Sequence, residues 1–197
     1  MDITKILRTL ADGKSLEYTA EMMKCSKEKV RQEILTLAEK YSQKPENIVI
    51  IGKPKKDGII KVYTDGAVKG NPGAGGIGCV LYNSGKEEIA YGKKFIDHAT
   101  NNAAEYMAVI FSFKIISKFE KIKEIHFYTD SELLARQVQG IYKVSNQVMQ
   151  AYYMEFIKKI KKYKTYTITS ILRSNNKRAD ALANEAYKQG KNLQAFL

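Results

Sequence analysis

Tryptophan is missing from this 197-residue chain, and it holds only two cysteines, two histidines and three prolines. Cys25 and Cys79 lie far apart with no CxxC pattern. That spacing argues against a zinc site or a disulfide framework and for two reduced, buried thiols. His98 and His126 are too few to build a histidine-rich metal site. No apolar run approaches the roughly 20 residues that span a bilayer. The N-terminus lacks the basic-then-apolar pattern of a secretory signal. The expectation is a soluble, cytoplasmic protein with no membrane partner. Negative charge is also scarce: 21 Asp and Glu stand against 33 Lys and Arg, for a net charge of +12. A basic excess of this kind favours nucleic acid or an anionic surface as partner.

Among the few acids, four stand at the end of a predicted strand or the start of a predicted helix. They are Asp65 in YTDGAVKGNPGAGGIG, Glu105 in TNNAAEYMAV, Asp130 in YTDSELLARQV and Asp180 in RSNNKRADALANEA. Taken singly, each has a plain reading: a turn for Asp65-Gly66, and helix capping for the other three. Brought together by folding, they would repel unless a cation sat among them. Hard oxygen ligands suit Mg²⁺ or Mn²⁺. In a basic chain, such a site points to metal-assisted chemistry on a phosphate backbone.

Residues 1–42 carry helical periodicity, with Ile3, Ile6, Leu7 and Leu10 on one stripe before Asp12-Gly13 breaks it. Leu16, Ala20 and Met23 form a second stripe. Ser26 is placed to cap a third helix bearing Val30, Ile34, Leu37 and Ala38. The tight turn at Lys24-Cys25-Ser26 makes the group similar to a helix-turn-helix, with Lys27, Lys29 and Arg31 where a recognition helix meets duplex DNA or a hybrid. A docking or dimerising module is the alternative. Residues 43–58, with Pro45, Pro54, Gly58 and several lysines, read as a linker, within which Asn47–Ile51 fits a short strand or a wing. Residues 59–197 carry a net charge of +9 against +3 for residues 1–58.

The larger segment reads as strands at 59–65, 75–82 and 87–95, a long helix at 102–119, and a strand at 124–130. Helices near 131–138 and 145–162, a strand at 166–172 and a helix at 178–188 follow. Three meandering strands followed by helix–strand units imply an α/β fold, a mixed sheet with helices on its faces.

YTDGAVKGNPG, TNNAAE, YTDS and RSNNKRAD, in this order and spacing, closely resemble the type 1 ribonuclease H family over about residues 59–190. The resemblance implies a five-stranded mixed sheet. It also implies endonucleolytic, two-metal cleavage of the RNA in an RNA–DNA hybrid, giving 5′-phosphate and 3′-hydroxyl ends. By the same resemblance Asp65, Glu105, Asp130 and Asp180 hold two Mg²⁺ ions, with Mn²⁺ as a substitute. Gly66, Asn71, Thr100, Asn101, Asn102, Ser131, Arg173 and Asn176 fall on substrate-binding positions.

Two features depart from many members. The loop before Asp180 has no histidine, and Arg173 stands near that place. Its pKa is too high for ordinary acid–base work, so it suits a phosphate contact or product release. A basic, tryptophan-bearing protrusion is also missing, since only IYKVS separates Gly140 from Asn146. Hybrid affinity must then come from elsewhere, with the N-terminal module and the lysines of 158–164 as sources; those lysines also read as a solvated helix end. Ala67, two residues after Asp65, sets aside the proofreading-exonuclease pattern, which has Glu there. A non-catalytic nucleic-acid-binding regulator is the competing function.

Overall fold

The computed structural model describes residues 15–30 and 46–194. The chain divides into two compact units, Met1–Lys44 with Gln194–Leu197, and Pro45–Leu193. In the first unit, helix α1 spans Leu16–Met22, with the Ser15 hydroxyl accepting from the Tyr18 N–H. Lys24 turns the chain at a φ of 50°. Ser26 then caps a helix opening at residue 27, its Oγ accepting from the Lys29 N–H at 3.2 Å. The sequence-based turn and cap are thus present. Lys27 is paired with Glu17. The stripe at Ile3–Leu10, the Asp12-Gly13 break, Arg31, Ile34, Leu37 and Ala38 lie outside the described residues.

The second unit holds strands β1 (Glu46–Ile50), β2 (Ile59–Gly70), β3 (Gly73–Asn83), β4 (Glu88–Ala99), β5 (Glu124–Thr129) and β6 (Thr165–Ser170). Its helices are α2 (Asn101–Ile116), α3 (Glu132–Val138), α4 (Gln147–Ile160) and α5 (Lys177–Gln194). The strands form one mixed sheet in the order β1-β4-β3-β2-β5-β6. The sheet is antiparallel from β1 to β2 and parallel from β2 through β5 to β6. The five strands implied by the family resemblance are all there. The sixth, β1, comes from the segment read as a linker. It is no wing of the helical module, because Asn47 to Ile50 pair with Lys93 to Ala90 of β4. Glu46 ties it down by ion pairs to Lys94 and Lys114.

Alternation explains the sheet. In β2, Ile60, Val62 and Thr64 are fully buried, whereas Lys61 and Tyr63 are half-buried. β5 repeats this with Ile125, Phe127 and Thr129 against His126 and Tyr128. The parallel register sets Tyr63 beside Tyr128 and Thr64 beside Thr129, so the two Tyr-Thr-Asp triplets run in step. The buried side meets α2 and α4, with Phe113, Phe127 and Phe156 at mutual ring distances of 5.6–5.8 Å. α2 is buried on most of its surface, as its nearly all-round apolar sequence requires. Gly76 and Gly78 lie on the other side of the sheet, where a side chain would overlap the Ala183 and Ala179 carbonyls of α5. The glycine-rich stretch after Asp65 is therefore strand, not loop: only Asn71 and Pro72, joined by a cis bond, separate β2 from β3. Among the described residues no helix is long and apolar enough to cross a membrane.

Candidate active site

Asp65 sits within β2 opposite Gly78 of β3 and is 3 % exposed. Glu105 lies in the second turn of α2, whose N-cap is Thr100, with Oγ1 accepting from the Ala103 N–H at 3.2 Å. The two elements come close enough because residue 66 is glycine: a Cβ there would overlap the backbone of Ala104 and Glu105. Asp130 follows the end of β5, where ligands gather in α/β sheets. Carboxylate oxygens of Asp65, Glu105 and Asp130 all lie within 4.8 Å of one another.

Three acids this close cannot all carry charge cheaply. Burial, then the neighbouring charges of Asp130 and Asp180, push the Asp65 carboxyl up to about 7. Burial and the charges of Asp65 and Asp130 raise Glu105 well above the usual carboxylate range. Asp65 Oδ2 is buried with no hydrogen-bond partner. An orphaned carboxylate oxygen inside an all-oxygen cluster fits a hard divalent cation. Asp180, in the first turn of α5, stands outside the triad but near enough for its charge to act on Asp65. It is held by Arg173, Nη2 to Oδ1 at 2.5 Å, and by Asn184 Nδ2 at 3.2 Å.

The remaining predicted residues fall into two groups. Thr100, Asn101 and Asn102 are exposed at the start of α2, and Asn71 Oδ1 accepts from the Asn101 N–H at 3.1 Å. Ser131 caps α3, and exposed Arg173 opens the turn before α5. Gly66 and Asn176 are instead buried. Gly66 fits backbone to backbone against α2. Asn176 donates from Nδ2 to the Thr64 carbonyl at 2.9 Å and to Asp130 Oδ1 at 3.1 Å, which ties the turn to the site. Both bear on the placement of the carboxylates.

Sequence reasoning passed over Thr129 and Asn184. Thr129 Oγ1 lies 3.4 Å from Glu105 Oε2 and accepts from the Ser131 N–H at 3.1 Å. Asn184 is one helical turn beyond Asp180, a spacing from which the contact could have been read. His126 is not a ligand; on the open side of the sheet it meets Thr167 at 2.8 Å and Glu124 at 3.3 Å. Gly140–Asn146 contains no helix, so the missing protrusion is missing in the fold as well.

Residues 63–186 match the family model described as reverse transcriptase-like. Ribonuclease HI of Halobacterium salinarum is 33 % identical over 142 residues, 72 % of this chain and 71 % of that protein. A ribonuclease H of Ralstonia nicotianae is 40 % identical over 79 residues, which span 49 % of its length. The crystal structure of RNase H1 from Halobacterium salinarum superimposes with a TM-score of 0.64, covering 66 % of this chain and 98 % of that one. LC11-RNase H1, solved in complex with an RNA/DNA hybrid, does so with a TM-score of 0.64 at 33 % identity, covering 66 % and 97 %. The chain belongs to the type 1 ribonuclease H family.

Proposed function

We propose that this chain cleaves the RNA strand of RNA–DNA hybrids endonucleolytically, leaving 5′-phosphate and 3′-hydroxyl ends. The observation that carries the reading is the closure of Asp65, Glu105 and Asp130 into one cluster with an orphaned, buried Asp65 oxygen. These three fit one Mg²⁺ or Mn²⁺ ion, and Asp180 with Asp65 fits a second. Bound there, divalent ions supply water activation and neutralise the charge that builds on the phosphate.

The protein's own residues position the substrate. Asn71 uses Oδ1 on the Asn101 N–H, so its Nδ2 is the group that can donate to a DNA phosphate. The exposed amides of Asn101 and Asn102 both donate and accept, which matches the ribose 2′-hydroxyl. A DNA strand would leave them unpaired, at a cost to affinity. Exposed Arg173 holds Asp180 and can transfer its guanidinium to a phosphate without exchanging a proton.

A fluorescent RNA–DNA hybrid, a DNA duplex and an RNA duplex, each with Mg²⁺ and with EDTA, test the reading. Cleavage of the hybrid alone, abolished by EDTA, is expected. Footprinting of a specific duplex with no hybrid cleavage would favour a regulator instead. The N-terminal helices assist binding of the hybrid, or of duplex DNA, in this account. Deleting residues 1–44, which spares β1, is then expected to raise KM and leave kcat near its original value; an unchanged KM and salt dependence assign the module another purpose.

A further inference from the structure

The side of the sheet carrying α5 is covered only in part, and a cavity of about 260 Å³ opens there among β2, β3, the Asn175-Asn176 turn and the start of α5. Tyr63 and Tyr82 wall it, their rings meeting edge-to-face at 5.5 Å and 87°. Tyr128 backs Tyr63 in a stack at 4.7 Å and 20°. Val80 and Ala179 add apolar surface, and Lys61, Lys86 and Arg178 bring three cations to the same lining. Arg178 is held by Glu88 at 3.1 and 3.2 Å and lies 4.9 Å over the Tyr91 ring. Neither Lys61 nor Lys86 has an acidic partner among the described residues.

A purely apolar ligand has no use for the cations, and a cationic one is repelled by them. A small inorganic anion has no use for two perpendicular tyrosines. A nucleotide uses both: every base has a face to stack on an aromatic ring, and its phosphate pairs with lysine. We propose that this cavity binds one nucleotide unit, its base in the Tyr63–Tyr82 corner and its phosphate on Lys61 and Lys86. The site is distinct from the carboxylate cluster but shares a wall with it, because Asn176 lines the cavity and also donates to Asp130. A single strand leaving the carboxylates therefore has an aromatic and basic resting place next to them.

The binding does not depend on cleavage, so it is measured without metal. Isothermal titration of the full chain in EDTA uses 5′-AMP, a short 5′-phosphorylated oligoadenylate and inorganic phosphate. AMP or the oligomer is expected to bind at least about tenfold more tightly than phosphate, because stacking adds to the ionic contact. Tighter binding of the oligomer than of AMP identifies a strand as the source; equal binding identifies a free nucleotide. Tyr82→Ala is expected to weaken binding by roughly 5- to 100-fold. Lys61→Glu, a rim change that spares the core, is expected to weaken it and to flatten its salt dependence. Both variants keep Mg²⁺-dependent hybrid cleavage within about twofold of the original, which separates this site from the carboxylates. Binding unchanged in Lys61→Glu and in folded Tyr82→Ala, or phosphate bound as tightly as AMP, overturns the proposal. So does the absence of binding at millimolar nucleotide.

Discussion

The two sides of the sheet use the same strands for opposite purposes. Ile60, Val62, Ile125 and Phe127 face α2 and α4 and are fully buried. Their immediate neighbours Lys61, Tyr63, His126 and Tyr128 face the other way and keep contact with solvent. Closure of one side supplies the stability that lets the other hold ionisable and aromatic groups in fixed places. The carboxylates lie where the sides meet. Asp65 belongs by alternation to the α5 side, and Glu105 arrives from α2 across Gly66. The difference predicts that changes on the closed side act on stability first, and changes among the carboxylates act on chemistry first.

Asp130→Asn breaks the comparison most sharply. It removes one charge from the cluster proposed to hold the metal, and hybrid cleavage is expected to fall on the order of a thousandfold or more, with the fold intact by circular dichroism. Phe156→Ala is its counterpart on the closed side. Phe156 is fully buried against Phe113 and Phe127, so about 3–5 kcal/mol of stability is expected to be lost. Cleavage per folded molecule should survive, as read by urea unfolding alongside initial rates.

Gly66→Ala sits at the junction and is expected to cost both. Its Cβ forces β2 away from α2, for about 1–3 kcal/mol of stability, and parts Asp65 from Glu105, which cuts cleavage. Arg173→Ala is exposed and expected to change unfolding by less than about 1 kcal/mol. Its signature is about a tenfold drop in turnover under saturating hybrid.

The smallest effect is on pH. An acid whose folded pKa lies above its unfolded value adds stability at low pH and loses it as pH rises through the folded value. Asp65, pushed up to about 7, therefore makes the metal-free protein progressively less stable as pH rises from about 4 to about 7, and the loss persists above that. Mg²⁺ binds the ionised form, so its gain in Tm is expected to be larger at pH 8 than at pH 5, at about 2–4 °C per kcal/mol.

Much of this was legible in the sequence because local signals and the fold agree. Asp130 stands just past a strand end and Glu105 in the second turn of a helix, as read, whereas Asp65 lies inside β2 rather than at its end. The helices read near 102, 131 and 145 start within two residues of those positions, capped by Thr100, Ser131 and Asn146. The double Tyr-Thr-Asp triplet foreshadows the register of β2 and β5. What escaped depends on tertiary contact. Glycine disfavours strands, yet Gly66 and Gly70 lie in β2, which runs past its predicted end at 65 because residues 66–70 pair with residues 73–77 of β3. The short strand that fitted 47–51 is there, but a short run among lysines and prolines carries no sign of its partner, which is β4. The buried role of Asn176 requires the turn to fold back on Thr64, a residue 112 positions away.

The central claim is that folding gathers these carboxylates into a site for divalent metal. Mn²⁺ binding to the full chain, followed by electron paramagnetic resonance at pH 8, tests it most directly. Saturable binding is expected, lost or strongly weakened in Asp65→Asn and Asp130→Asn and retained in Tyr82→Ala. Mn²⁺ binding that both carboxylate variants leave unchanged would contradict it.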